Sequence, residues 1–321
     1  MTRTFVIDTD TASDDAVALI MALRAPDVNV AAITVVSGNV AVDVGVRNAL
    51  YTAELCDADV SVFRGADAPL RRPRYHSYAF HGRDGLGDQN YPAPQRSVEP
   101  GDGVDALIDA IRAHPGLVLV TLGPLTNVAL AVRKAPDIVE LVDRCVVMGG
   151  VACTVGNITP VAEFNIWCDP EAAREVFLSG LPIEMVGWEL SRFDSAITED
   201  DMAEIRALDT PRAHFALDCN RITWEAHRKL SSQNALDLPD PVAMAIALEP
   251  DLCTRRARHY VDVETESNLT RGMVVIDALD SGDKVTELGE GGPMFEAIGK
   301  IEVCWEVDSA GFKRLLRESL S

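Results

Sequence analysis

The sequence predicts an α/β fold, a single large domain in which a mostly parallel central sheet is flanked by helices. Three observations carry that expectation. Apolar runs of strand length alternate with segments whose apolar residues recur at helical spacing. The strand runs are almost continuously apolar, as expected of strands covered on both faces. No stretch of the 321 residues has the composition of a flexible interdomain linker, and nothing repeats internally.

In chain order, residues 4–7 read as a short buried strand and 16–23 as the helix after it. Residues 30–36 are β-rich, and 44–55 return to a 3.6-residue period. Further buried strands are expected at 117–122, 144–148 and 183–186, the first leading into a helical run at 127–132. Two stretches break the rhythm. Residues 64–100, rich in Pro, Gly, Arg and Asp, read as a long functional loop beside an active site. Residues 198–238 are polar and mainly helical, and read as a cap segment beside the sheet. Open parallel sheets take their ligands at the carboxyl ends of the strands, so chemistry is expected just after Ile7, Val36, Leu122 and Met148.

Charge narrows the partners. Lys and Arg number 29 against 50 Asp and Glu, a formal charge of −21, which repels phosphate backbones and disfavours nucleic acid. A neutral or cationic small molecule, or a metal ion, suits that sign. The start MTRTFVIDTD has no basic-then-apolar leader, and the longest apolar stretch, 116–132, is too short and interrupted to span a bilayer, so no membrane partner is expected. The seven cysteines include no CxxC pair and read as reduced thiols, which points to the cytoplasm.

The strongest chemical signal is Asp8-Thr-Asp10-Thr-Ala-Ser-Asp14-Asp15, four carboxylates in eight residues between a buried strand and a helix. Ser13 is placed to cap the helix, whose positive end partly offsets Asp14 and Asp15. Unpaired carboxylates beside a buried strand are costly, and a hard cation with oxygen ligands resolves their repulsion. The spacing of an EF-hand loop is absent. The D-x-D-x-[TV] pattern of metal-dependent phosphatases is met at Asp8 and Asp10 but ends on Ala12, and leaves Asp14 and Asp15 without a role. If the turn demanded positive φ, Ala12 would be mildly strained.

This segment, followed by its apolar helix, resembles the hallmark of the inosine–uridine type nucleoside hydrolases. The resemblance recurs in order along nearly the whole chain: Ser37-Gly38-Asn39, His81-Gly-Arg-Asp-Gly-Leu-Gly87, Leu122-Gly-Pro-Leu-Thr126-Asn, Met148-Gly-Gly150, Asn157-Ile-Thr-Pro-Val-Ala-Glu163-Phe-Asn165, Asp240-Pro241 and Val307-Asp-x-x-x-Phe312. It implies an open Rossmann-like sheet, a homodimer or homotetramer, and Ca²⁺-dependent cleavage of a ribonucleoside into base and ribose. Carried over residue by residue, it implies Ca²⁺ ligands at Asp10, Asp15, the Thr126 carbonyl and Asp240. Asp10 would take a proton from a water attacking C1′, with Asn39 orienting both. Asp14 and Asn165 would hold the ribose 2′-hydroxyl, Asp240 the 3′-hydroxyl, and Asn157 with Glu163 the 5′-hydroxyl. Taken singly, Asn39, Asn157 and Asn165 also suit turn and capping duty, Thr126 the start of a helix, and Asp8 a supporting or structural place.

One departure matters. Many pyrimidine-accepting relatives carry a His directly before the Asp-Pro pair, where it can protonate the leaving base, and here that position is Pro239. His81 in the long loop and Trp224 and His227 in the cap are the candidates to replace it, by proton donation or by stacking on a base, which tilts the expectation toward purine or modified-base nucleosides. Arg221 is a further cap contact, better read as a solvated charge. Two other readings stay open: a non-catalytic Ca²⁺-dependent nucleoside or ribose binder, and the metal-dependent phosphatase.

Overall fold

In this computed structural model the described residues are 2–230, 234–281 and 300–321. Eleven strands are present among them: β1 (Arg3–Thr9), β2 (Val28–Val35), β3 (Val62–Arg64), β4 (Leu117–Thr121), β5 (Val142–Met148), β6 (Ile183–Val186), β7 (Ile197–Thr198), β8 (Ala235–Leu236), β9 (Cys253–Val263), β10 (Val274–Ile276) and β11 (Lys300–Val307). Nine form one sheet in the order β10-β9-β11-β6-β5-β4-β1-β2-β3. From β3 through β11 all neighbours pair in parallel, while β9 and β10 are antiparallel additions at one edge.

The apolar runs explain this layering. Along β1, Phe5, Val6 and Ile7 are all fully buried, and successive side chains point to opposite faces. Phe5 and Ile7 join one hydrophobic core with Val120 and Val146, whereas Val6 joins a second with Leu119 and Val147. The helices Ser13–Arg24 and Pro239–Leu248 fill the first core, and Gly103–Ala113, Thr126–Lys134 and Pro170–Phe177 fill the second. The segment PDPVAMAIAL is apolar all round because, from Asp240 to Leu248, every residue is buried.

The strand ends fall within one or two residues of the sequence expectation, but the antiparallel edge was not foreseen. Residues 253–263 carry three arginines that mask a strand pattern. Two of these charges are taken up across the sheet, Arg255 by Glu306 at 2.8 Å and Arg256 by Glu302 at 3.1 Å and Glu184 at 3.3 Å.

Strand order reverses direction at β1, which has β2 on one side and β4 on the other, so the crevice beyond the carboxyl ends of these strands is the expected ligand site. Residues 64–100 cross near it with one short helix, Tyr78–His81, and are tied down by Ser77 N to Asn39 O at 2.9 Å and Ala66 N to Asn127 Oδ1 at 2.8 Å. Residues 198–238 hold the helices Glu199–Arg206, Pro211–Cys219 and Arg221–Leu230, with 231–233 outside the described residues. The antiparallel pairs Ile197–Leu236 and Thr198–Ala235 join the two ends of this segment. Among the described residues, no helix is long and apolar enough to cross a membrane.

Candidate active site

Asp10 lies just beyond β1, fully buried, with Oδ2 accepting from Asn39 N at 2.5 Å. Two glycines make that position possible. A Cβ on Gly38 would stand 2.1 Å from Asp10 Oδ2, and one on Gly123 would stand 3.0 Å from Oδ1. Asp15 is gripped by Thr9 Oγ1 at 2.6 Å and by Ala12 N at 2.9 Å. The second bond shows that Ala12, not Ser13, is the residue flanking the helix Ser13–Arg24, with Asp15 reaching back over its first turn. Ser13 instead turns its hydroxyl to His81 Nδ1 at 2.8 Å. Ala12 has φ −104°, so the turn carries no left-handed strain.

Asp14, Asp15 and Asp240 converge, each presenting a carboxylate oxygen within 4.8 Å of the others, and all three are buried. Asp10 is not one of the three converging groups but stands close enough to Asp15 for the two charges to repel. Asp14, expected on the ribose, thus stands inside the converging set. Burial pushes Asp14 up to about 6. Burial, reinforced by the neighbouring carboxylates, holds Asp10 and Asp240 well above the usual carboxylate range. Among the described residues no Lys or Arg pairs with any of the four. Asp10 Oδ1 and Asp14 Oδ1 are buried without a hydrogen-bond partner. A buried, all-oxygen donor set with unmet acceptors fits a hard divalent cation. Thr126 commits its side chain to Asp169 Oδ2 at 2.7 Å, which leaves its carbonyl as the oxygen available to such an ion.

Above this floor opens a cavity of about 340 Å³, reached through Asp14 and Asn39, which line it. His81, Asn157 and His227 also line it, with Pro239 beside them. Asn157 Oδ1 accepts from Phe164 N at 2.9 Å, so its amide nitrogen is the end left for a ligand. Glu163 and Asn165 are buried behind the wall. Glu163 caps the helix Phe164–Cys168, accepting from Asn165 N at 2.8 Å and Gly150 N at 2.9 Å, and burial raises it to about 7. Asn165 donates to Leu122 O at 2.7 Å, leaving a buried Oδ1 without a partner. Capping duty here thus falls to Glu163, for which it was not expected, while Asn165 keeps an acceptor in hand.

Trp224 is not part of the cavity wall. Each helical residue turns about 100°, so Thr223 and His227, four apart, share the cavity face and Trp224 falls to one side. There it packs against the first core beneath the Arg228 guanidinium, 4.8 Å from the ring centre. Arg221 pairs with Glu225 at 2.9 Å on the exposed side. Asp8 is buried under the floor, held by Thr34 Oγ1 at 2.5 Å and Asn127 Nδ2 at 2.7 Å, and desolvation raises it to about 7. Sequence reasoning missed Trp188, Arg192 and Asp237 on the wall, which lie in no recognisable motif.

Comparison with known proteins agrees with this architecture. The sequence model described as inosine-uridine preferring nucleoside hydrolase matches residues 5–314. The pyrimidine-specific ribonucleoside hydrolase RihA of Shewanella sp. (strain MR-7) is 36% identical over 325 residues, covering 100% of this chain and 97% of that protein. A solved plant nucleoside hydrolase, PpNRh1, superposes with a TM-score of 0.92 at 29% identity, covering 100% of this chain and 99% of that one. A purine-preferring ribonucleoside hydrolase from Gardnerella vaginalis does so with a TM-score of 0.88 at 30% identity, covering 99% and 98%. With the matching sequence model spanning nearly its whole length and the acidic crevice in place, the chain belongs to the inosine-uridine preferring nucleoside hydrolase family, enzymes that cleave N-glycosidic bonds.

Proposed function

We propose that this enzyme hydrolyses ribonucleosides to free base and ribose with Ca²⁺ bound by Asp10, Asp15, the Thr126 carbonyl and Asp240. The observation that carries this reading is the buried carboxylate floor of Asp14, Asp15 and Asp240 with Asp10 beside it, paired with no Lys or Arg among the described residues, beneath a cavity of nucleoside size. When bound, Ca²⁺ supplies charge that lowers the pKa of an adjacent water and orders ribose hydroxyls. Asp10, held by Asn39 N, takes a proton from the water that attacks C1′. The acidic floor stabilises positive charge developing on the ribosyl ring. Asp14 and Asn165 receive the 2′-hydroxyl, Asp240 the 3′-hydroxyl and Asn157 with Glu163 the 5′-hydroxyl. Purine or modified-base nucleosides stand first, because Pro239 withholds the proton donor found in many pyrimidine-accepting relatives. The same reading expects a cytoplasmic homodimer or homotetramer.

Inosine, adenosine, guanosine, uridine and cytidine incubated with the protein, with and without a Ca²⁺ chelator, test this by chromatography. Chelator-sensitive release of base is expected. Tight calorimetric binding without release from any of them overturns the reading in favour of a binder, and aryl phosphate hydrolysis lost in D8A overturns it in favour of a phosphatase.

The glycine at 38 gives an independent check on how tightly Asp10 is placed. In G38A the added methyl collides with Asp10 Oδ2 and with Pro124 Cδ, which is 2.7 Å away. Displacing a reacting group by about 1 Å costs about 10²-fold, so kcat should fall by that order with the circular-dichroism spectrum unchanged. Undiminished turnover would show that Asp10 tolerates another position.

A further inference from the structure

Pro239 stands where many pyrimidine-accepting relatives carry a proton donor, and the wall of the cavity contains a group able to take that place. We propose that Asp237 protonates the departing base, an inference that rests on the hydrolase reading above. Leu236 and Leu238 are buried in the first core at 2% and 4% exposure. The intervening Asp237 is turned away from them and lines the cavity. Three residues further on, Asp240 joins the carboxylate floor, and three residues span at most about 10 Å, within the length of a nucleoside. One short segment thus links the ribose end of the site to its wall.

Two elements bring ionisable groups to Asp237. The cap helix Arg221–Leu230 brings His227, whose Nδ1 lies 3.5 Å from Asp237 N. The turn Trp188–Ser191 leads into Arg192, stacked 4.5 Å over the Trp188 ring, and its charge acts on both Asp237 and His227. The other ionisable groups lining the cavity are Asp14, Tyr75, His76 and His81. Burial raises Asp237 to about 6 despite the opposing pull of Arg192. Both imidazoles move the opposite way: burial lowers His227, and it lowers His81 to about 4. Burial thus favours the uncharged form of both, and an uncharged imidazole that gives up its N–H becomes an imidazolate. A carboxylic acid titrating near 6 has a proton to give close to the working pH.

In the step, the C1′–N bond breaks and its electron pair goes to the base, while the Asp237 O–H bond breaks and its proton joins a base nitrogen or oxygen. The water oxygen bonds to C1′, and its proton goes to Asp10. Solvent then returns a proton to Asp237 and removes one from Asp10, so one water is consumed per nucleoside.

The test compares inosine with p-nitrophenyl β-D-ribofuranoside, whose phenolate departs without a proton. Wild-type enzyme should hydrolyse both, and if it hydrolyses neither, it is the hydrolase reading that fails. In D237N, kcat on inosine should fall by about 10²- to 10⁴-fold, the range for a general acid, with the activated riboside within about threefold of wild type. That retained activity also shows that the variant folds, and D237E should recover part of the inosine rate. Because the donor must be protonated, wild-type kcat on inosine falls as pH rises through the pKa of Asp237, and this limb should be missing in D237N. Equal losses on both substrates, an unchanged inosine rate, or the selective loss appearing in H227Q instead would overturn the assignment.

Discussion

In D10N, turnover of the best nucleoside should fall by about 10⁴-fold, with the fold intact. Asparagine keeps the size of the side chain and an oxygen able to accept from Asn39 N, now at 2.5 Å, so the two glycine-walled approaches need not change. What it removes is the basic oxygen and one negative charge of the floor. Loss of a general base alone costs about 10²- to 10⁴-fold, and the weakened hold on the cation puts this variant at the upper end. Single-turnover release of base from inosine, with the Ca²⁺ concentration varied, measures it. A rate within tenfold of wild type at saturating Ca²⁺ would remove Asp10 from the chemistry and leave it only a structural duty.

Chelation should soften the whole molecule. Without a cation, Asp10, Asp14, Asp15 and Asp240 are buried together, all shifted upward, because desolvation penalises their charge and, for Asp10, Asp15 and Asp240, because neighbouring carboxylates repel it. A ligand that binds only the folded state at 100 times its Kd adds about 2.7 kcal/mol, which for a chain of this length raises Tm by about 4 °C. Ca²⁺ added to chelator-treated protein should give a rise of that order in differential scanning calorimetry, larger as Ca²⁺ increases. D240N should lose most of the increment, since it removes the negative charge of one of the three converging carboxylates and keeps the helix Pro239–Leu248. A Ca²⁺-independent Tm in the wild type would deny the floor its ion.

Much of this arrangement was legible in one dimension because local chemistry dictated it. Phe5-Val6-Ile7 reads as a strand buried on both faces, and four aspartates within eight residues at its end point to a site. The cap's contribution was half legible. Helical spacing singled out Trp224 and His227, but which side of the helix meets the cavity depends on how the cap sits on the sheet. The rotation that brings Thr223 and His227 to the cavity turns Trp224 toward the core. The arginine-rich strand β9 was hidden because its charges find partners on β6 and β11, more than forty residues away in sequence.

The sequence by itself determined the alternation of strands and helices, the carboxylate cluster after β1 and the family. Each of these is written in contiguous residues, where side-chain period, turn chemistry and spacing act locally. Only the tertiary structure brought Asp240 to Asp14 and Asp15, gave His81 its partner in Ser13 and turned Asp237 into the cavity. These pairings span sequence distances over which no local rule operates. They are decided by the strand order, which lays β1 between β2 and β4 and packs the helix Pro239–Leu248 against Ser13–Arg24 in one core.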